Sequence, residues 1–133
     1  MYMKNRVVHF EIQVNNPERA MEFYQRVFDW QFQKWGEQAY WIIMTADKDS
    51  KEPGINGGML IRPCPAPAQQ QGTNAYVCTV QVDSYDDIER KILAAGGVVA
   101  MPKFALAGMA WQGYYIDTEG NTFGLHQADP SAK

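Results

Sequence analysis

The stretch VVHFEIQVNNPERAMEFY, residues Val7–Tyr24, changes its periodicity halfway along. In its first half, apolar residues alternate strictly with polar ones, as in a strand that buries one face and leaves the other polar. The apolar row is Val8, Phe10, Ile12 and Val14, and the polar row is His9, Glu11 and Gln13. We expect the functional residues in the polar row, because it points away from the helix that follows.

The second half of the stretch is typical of a helix. Asn16 is a capping residue, Pro17 suits the first helical position, where a missing N–H costs nothing, and Glu18 favours the positive end of the helix. Apolar residues then recur with helical spacing. They are Ala20, Phe23, Tyr24 and Val27.

Length and composition restrict the class of protein. The chain has 133 residues, 46% of them hydrophobic and 20% charged, which suits one compact globular domain over 1–133. A net charge of −3 without a run of Lys or Arg argues against nucleic acid as a partner. The start of the chain lacks the apolar core of a signal peptide, and no apolar run approaches membrane-spanning length. We therefore expect a cytoplasmic protein with no membrane partner.

The two cysteines do not have the spacing of a disulfide framework or of a redox motif. Cys64 lies between two prolines and is expected in a loop. Cys78 falls in the apolar row of a predicted strand and is expected in the core.

Beyond the first helix, the pattern predicts short strands, one further helix and several loops. Strands are expected over 30–34, 40–45, 59–62, 76–82, 98–101, 112–117 and 122–127. The second helix begins at Ser84, with Asp87 placed as in a capping box, and ends at Gly96-Gly97. Residues 102–111 are expected to form a loop, and its apolar part, Phe104–Trp111, is a candidate wall or lid of a ligand site or a packing surface.

The second half of the chain repeats the first. Ile12-Gln13-Val14 matches Val80-Gln81-Val82 at an offset of 82 − 14 = 68 residues, and Gly58 matches Gly124 at 124 − 58 = 66. The simplest interpretation is two βαβββ repeats, over about 6–62 and 74–128, joined by a linker over 63–72. We predict an α+β fold whose curved, barrel-like mixed sheets surround a cavity, with the helices outside.

This order of elements resembles the vicinal oxygen chelate superfamily, which contains glyoxalase I, extradiol dioxygenases and the fosfomycin- and bleomycin-resistance proteins. The resemblance covers nearly the whole chain. The segments that carry it are HFEIQVNNPERAMEFYQRVFDW, INGG, AAGG and DTEGNTFGL. The INGG and GNTFGL segments are most similar to the small glyoxalase-related members.

The resemblance implies metal ligands at equivalent positions on the first and last strand of each repeat. These positions are His9, a residue near 58–60, Val77 and Gly124. Only His9 is a competent ligand, whereas a catalytic divalent metal needs about three protein ligands. The family metal site is therefore expected to be incomplete.

Other polar residues could have rebuilt the site. Glu11, Gln13, Thr79, Gln81 and His126 share the polar rows of the strands that carry the family positions. His9, Glu11 and His126 together would form a 2-His-1-carboxylate site for Zn, Ni, Mn or Fe. Alternatively, these residues are polar walls that bind a small organic molecule.

Three functions follow from these alternatives. The first is a binding protein in which Gln13, Thr79, Gln81, Trp111 and His126 contact a small organic ligand. The second is a metal-dependent lyase, isomerase or dioxygenase-like enzyme with the rearranged site. The third is a cofactor-free enzyme in which Glu11 or His9 is the general base. The resemblance also implies a homodimer.

Overall fold

In the described part of the chain, eight strands and two helices follow one another as two copies of strand–helix–strand–strand–strand. The structure is a computed structural model and describes residues 7–69, 71 and 76–133. Two compact units, Met1–Pro63 and Cys64–Lys133, divide the chain. The predicted order of elements is therefore confirmed, and the division falls at the start of the predicted linker. The assignment of the whole chain to a single domain stays a prediction.

The first unit consists of one helix and one four-stranded sheet. Its elements are β1 (Glu11–Val14), α1 (Pro17–Phe28), β2 (Gln31–Lys34), β3 (Tyr40–Met44) and β4 (Gly57–Ile61). The order of strands across the sheet is β1-β4-β3-β2. β1 runs parallel to β4, and the other neighbours are antiparallel, so the sheet is mixed.

α1 begins and ends as its sequence predicts. The Asn16 side chain accepts a hydrogen bond of 3.1 Å from the Arg19 backbone N–H, and Pro17 occupies the first turn. The helix ends at Asp29, which has a left-handed backbone with φ 62°. The predicted apolar stripe, Ala20, Phe23, Tyr24 and Val27, is buried.

The core of the first unit lies between α1 and the apolar face of its sheet. Val14, Ile43 and Met59 are fully buried there. The Tyr24 ring stacks on Trp30 with 5.1 Å between ring centroids, which continues the core past the end of the helix. α1 covers this apolar face. Because successive residues of a strand point to opposite faces, the residues between the buried ones lie on the other, polar face of the sheet.

The second unit repeats this arrangement. Its elements are β5 (Thr79–Gln81), α2 (Tyr85–Ala94), β6 (Val98–Leu106), β7 (Ala110–Ile116) and β8 (Thr122–Ala128). The order across the sheet is β5-β8-β7-β6, with β5 parallel to β8. The Ser84 side chain caps α2 by accepting a hydrogen bond from the Asp87 N–H, as predicted.

The strand registers confirm the internal alignment made from the sequence. Glu11 of β1 lies opposite Gly58 of β4, and Thr79 of β5 lies opposite Gly124 of β8. The predicted α+β fold of two βαβββ repeats with mixed sheets is thus confirmed. Neither sheet closes on itself, because each has two edge strands. None of the described helices has the length and apolarity needed to span a bilayer.

The apolar rows of the first strand of each repeat are shorter than predicted. β1 begins at Glu11, and Val8 is 76% exposed, because its neighbour β4 begins only at Gly57. β5 begins at Thr79, so Cys78 precedes it and is exposed. The predicted core positions of Val8 and Cys78 are therefore wrong.

The predicted loop over 102–111 is also wrong. β6 continues to Leu106, and a three-residue turn joins it to β7 in a hairpin. The register between the two strands shifts once between Val99 and Met101 and again between Met101 and Phe104. Pro102 lies in the second irregularity of an edge strand, where its missing N–H breaks no regular pairing.

Candidate functional site

The polar face of the first sheet carries the residues singled out in the opening stretch. Glu11 and Gln13 lie on β1 opposite Gly58 and Leu60, and Tyr40 of β3 lies opposite Leu60 from the other side. Residues that pair across strands share a face of the sheet. One continuous row of side chains therefore runs from β1 across β4 to β3.

Tyr40 joins His9 to Glu11. Its hydroxyl donates a hydrogen bond of 2.7 Å to Glu11 Oε2 and lies 2.9 Å from His9 Nε2. His9 Nε2 and Glu11 Oε2 are themselves 3.9 Å apart. Burial and the hydrogen bond to Glu11 raise the pKa of Tyr40 to about 12. The two residues predicted as catalytic are thus held as a pair by a third that was not predicted. We call these three side chains the His9–Tyr40–Glu11 cluster.

Gly58 leaves the space that Tyr40 occupies. A Cβ at Gly58 would lie 1.9 Å from the Tyr40 hydroxyl and 2.3 Å from its Cζ. Since real atoms do not approach so closely, any side chain at this position would displace the tyrosine. The glycine is what lets Tyr40 reach across β4 to β1.

An open depression lies beside the cluster. Its volume is about 390 Å³, and it is lined by His9, Trp35, Gln38, Tyr40 and Ile42. The Trp35 side chain is 56% exposed, so the indole presents a wide aromatic surface to solvent. The depression therefore combines an apolar wall with the polar tips of His9 and Tyr40.

The polar face of the second sheet gathers three of the predicted ligand-binding residues. Thr79 and Gln81 of β5 lie opposite Gly124 and His126 of β8. His126 Nδ1 lies 2.9 Å from Oε1 of the buried Gln112. A Cβ at Gly124 would lie 2.6 Å from Thr79 Oγ1, so the neighbouring side chains fill the space beside this glycine.

The two polar faces follow the same plan. Tyr40 lies opposite Leu60 in the first sheet, and Gln112 lies opposite His126 in the second. When the two repeats are aligned with Gly58 on Gly124, these two pairs occupy equivalent positions. In each unit, a long polar side chain of the third strand reaches the glycine of the fourth strand.

Trp111 lies apart from the other predicted ligand-binding residues. It pairs with Gln127, whose side chain accepts a hydrogen bond of 2.6 Å from the Tyr85 N–H at the start of α2. Its row therefore faces the helix, and its indole Nε1 donates a hydrogen bond of 3.0 Å to Asp129 Oδ2. The ammonium of Lys103 lies 4.7 Å from its ring centroid. The structure does not bring Trp111 together with Thr79, Gln81 and His126.

The residues at the family metal positions do not fit a metal ion. Gly58 and Gly124 have no side chain, Val77 has only an apolar side chain, and His9 Nε2 is engaged with Tyr40. Among the residues that the structure describes, no three His, Cys, Asp or Glu side chains are grouped to hold a metal. A catalytic metal needs about three such ligands. The family metal positions therefore do not supply the ligands of a catalytic metal.

Sequence reasoning missed Tyr40, Gln112, Trp35 and Gln38 as site residues. A signal for Tyr40 was present, because two consecutive glycines in a strand, Gly57 and Gly58, indicate a close approach of other groups. Which side chain makes that approach depends on the pairing of β3 with β4, and the sequence does not specify that register.

Comparison with known proteins agrees with this architecture. The Glyoxalase/Bleomycin resistance protein/Dioxygenase superfamily model matches residues 6–123. The fosfomycin resistance protein FosX from Listeria monocytogenes is similar in fold, with 16% identity, 96% of each chain covered and a TM-score of 0.71. A mutant of that protein in complex with Mn(II) and 1S,2S-dihydroxypropylphosphonic acid has 17% identity, 93% of this chain and 90% of that chain covered, and a TM-score of 0.69.

A glyoxalase-related enzyme from Fulvimarina pelagi is also similar in fold. It has 13% identity, 93% of this chain and 88% of that chain covered, and a TM-score of 0.67. No curated protein matches the chain significantly. At such low identities the solved structures show a common fold and no common activity. Because the family model matches most of the chain, the protein belongs to the glyoxalase/bleomycin resistance protein/dioxygenase superfamily, with the vicinal oxygen chelate fold.

Proposed function

We propose that this protein binds a small organic molecule in the depression beside the His9–Tyr40–Glu11 cluster, without a metal ion. The observation that carries the proposal is the engagement of His9, the only competent ligand at the family positions, with the Tyr40 hydroxyl at 2.9 Å. That hydrogen bond occupies Nε2, which leaves Nδ1 as the one ring nitrogen of His9 for a metal, and Gly58, Val77 and Gly124 add no side-chain ligand.

The depression has the features of a small-molecule site. Its volume of about 390 Å³ falls in the usual range for ligand pockets, which are mostly apolar with a few placed polar groups. Trp35 and Ile42 supply the apolar wall, while His9 and Tyr40 supply the polar groups. Gln13 lies on the same face of this sheet, and Thr79, Gln81 and His126 are candidate contacts of a ligand on the polar face of the second sheet.

Metal content and ligand binding test the proposal together. The untagged protein is expressed in medium supplemented with Ni, Zn, Mn and Fe and analysed by plasma mass spectrometry, and a thermal-shift screen of small organic molecules follows. We expect well under one metal per chain and a ligand whose shift in Tm is lost in His9→Ala. Gln25→Ala, on the exposed side of α1, is the control and should keep the shift.

A metal-dependent lyase, isomerase or dioxygenase-like enzyme is the alternative. The 3.9 Å between His9 Nε2 and Glu11 Oε2 is the observation that favours it, because two donors at that separation can approach one ion. About one metal per chain, lost in both His9→Ala and His126→Ala, would contradict metal-free binding and support this enzyme. Metal that persists in both variants would contradict the rearranged site.

A cofactor-free enzyme with Glu11 or His9 as the general base uses the same cluster. The Tyr40 hydroxyl between the two side chains favours it, since such a contact orients a base. Replacement of His9 and Glu11 by Ala distinguishes the cases. Lost turnover in a folded variant supports an enzyme, whereas weakened binding with no turnover in the wild type supports the binding protein.

We also propose that the protein acts as a cytoplasmic homodimer. Apolar residues of the edge strand β6 support a subunit contact, since Val98, Val99 and Met101 are 43%, 40% and 50% exposed. Light scattering at micromolar concentration should give twice the mass of the chain. A monomer under these conditions would contradict the homodimer.

A further inference from the structure

The hydrogen bonds of Tyr40 determine the tautomer of His9. A tyrosine hydroxyl carries one proton, and an ionised carboxylate can only accept a hydrogen bond. Since the Tyr40 hydroxyl donates its one hydrogen bond to Glu11 Oε2 at 2.7 Å, its oxygen must accept the 2.9 Å hydrogen bond from His9 Nε2. The proton of a neutral His9 is therefore on Nε2, and its Nδ1 is an acceptor that no described residue engages.

The groups around the depression consequently attract positive charge. Glu11 contributes a carboxylate beside His9 and Tyr40, His9 contributes the acceptor Nδ1, and Trp35 contributes an exposed aromatic ring. No Lys or Arg is among the residues that line the depression. Among the described residues, no Lys or Arg pairs with Glu11, whose carboxylate contacts His9 and Tyr40.

Two cations in the described part of this unit, Arg62 and Lys34, have partners other than Glu11. Arg62 donates to the Gln13 carbonyl at 3.0 Å and to Asn15 Oδ1 at 3.1 Å. Lys34 lies 6.0 Å from the ring centroid of Trp41, whose row on the sheet belongs to the apolar face. Neither of them pairs with Glu11, whose carboxylate accepts the hydrogen bond of Tyr40 at the edge of the depression.

We propose that the depression selects an organic cation, a protonated amine carried on an apolar or aromatic body. The ammonium would donate to His9 Nδ1 and lie close to the Glu11 carboxylate, and the body would pack on Trp35 and Ile42. The charge-assisted hydrogen bond favours such a ligand over a neutral or anionic analogue. This inference rests on the proposed function, because it names the ligand class of the same site.

Three probes of nearly equal size test the charge preference: benzylammonium, benzyl alcohol and benzoate. Binding is followed at neutral pH by the ¹H–¹⁵N resonance of the Trp35 indole, assigned with a Trp35→Phe variant. We expect benzylammonium to bind about tenfold more tightly than benzyl alcohol, with benzoate the weakest. Glu11→Gln should abolish the preference for the amine and retain the binding of the alcohol.

Glu22→Gln is the matched control for net charge. Glu22 is an exposed carboxylate on α1 that pairs with Arg26 at 3.7 Å, and α1 covers the other face of the sheet. This variant removes the same charge without touching the cluster and should keep the preference for benzylammonium. If Glu22→Gln lost the preference as Glu11→Gln does, the selection would come from net charge, and the inference would be overturned.

The outcomes separate this inference from the proposed function. Benzyl alcohol or benzoate binding at Trp35 as tightly as benzylammonium would overturn the cation selection and leave a small-molecule site. No change at Trp35 with any probe at millimolar concentration would contradict the proposed site, and the cation selection with it. The ¹⁵N shifts of the His9 ring give an independent check, since a neutral His9 protonated on Nδ1 would overturn the argument.

Discussion

At the scale of single residues, the arrangement of the His9–Tyr40–Glu11 cluster depends on one hydroxyl. Tyr40 contacts both residues that the sequence indicates as catalytic, and it reaches them because Gly58 has no side chain. The opening stretch predicts that His9 and Glu11 share a face, since they are two residues apart in a strand. It contains no information about the third residue, which comes from another strand.

The first prediction concerns Gly58→Ala. The added methyl group would lie 1.9 Å from the Tyr40 hydroxyl, so the ring must move and lose both hydrogen bonds. We expect overpacking to lower the free energy of unfolding by about 1–3 kcal/mol, measured by urea denaturation. The cost should be much smaller in a Tyr40→Ala background, where the space is vacant. An equal cost in both backgrounds would contradict the account of Gly58.

The second prediction concerns alkaline pH. The folded chain holds the pKa of Tyr40 at about 12, above its ordinary value of 10.0. Between these values the unfolded chain has lost a proton that the folded chain keeps, so the free energy of unfolding falls as the pH rises. The stability that Tyr40 contributes is complete below pH 10 and is lost towards pH 12.

Urea denaturation between pH 8 and pH 11.5 measures this effect. Tyr40→Phe removes the titrating group, so we expect its stability to fall less steeply with pH than that of the wild type. Burial also raises the pKa values of Tyr85 and Tyr115, so part of the slope remains in the variant. Tyr76→Phe, at a fully exposed ring, is the control. Identical slopes for the wild type and Tyr40→Phe would contradict the prediction.

At the scale of elements, local sequence signals predicted the helices better than the strands. Both helices begin at the predicted caps, Asn16 and Ser84, because a cap acts through bonds within a few residues. Strand ends depend on a partner that is distant in sequence. β1 starts at Glu11, although the alternation extends to Val8, because β4 is too short to pair with the earlier residues.

β6 illustrates the same limit. Pro102 and Gly108 indicated a loop, yet β6 continues through the proline because it lies at the edge of the sheet and its register shifts there. The hairpin with β7 then determines which face each β7 residue occupies. Trp111 therefore lies on the helix side and Gln112 on the polar face. The predicted loop could not assign either residue to a face, because a loop has no regular alternation.

The third prediction tests the cap of α2. The Ser84 hydroxyl accepts a hydrogen bond of 3.3 Å from the Asp87 N–H. We expect Ser84→Ala to lower the free energy of unfolding by about 1 kcal/mol, because this N–H loses its partner. Ser84→Asp retains an acceptor and should cost less than the alanine. If both substitutions destabilised the protein equally, the cap would not be the source of the effect.

At the scale of the whole molecule, the chain consists of two units that share the same order of strands and helix. Residues 63–69 connect them and are exposed throughout. The other long exposed segment, over 46–54, is held at its base by hydrogen bonds from Thr45 to Asn56 Oδ1 and to the Ile55 carbonyl, at 2.9 and 2.8 Å. Exposed chain without such ties is the preferred site of proteolysis.

The fourth prediction is therefore that limited digestion with proteinase K cleaves first within residues 63–71. The first products should be two fragments that correspond to the two units, identified by mass spectrometry of the intact fragments. An early cut within residues 46–54 would contradict this order.

The sequence alone determined the repeat, the helices and the polar rows, because these depend on periodicity and capping within a short stretch. It also indicated the loss of the family metal ligands, since Val77 and Gly124 can be identified by position. Tertiary structure decided how the side chains of those polar rows are arranged. Only the pairing of β3 with β4 and of β4 with β1 brings Tyr40 between His9 and Glu11, and strand register is set by contacts between distant segments.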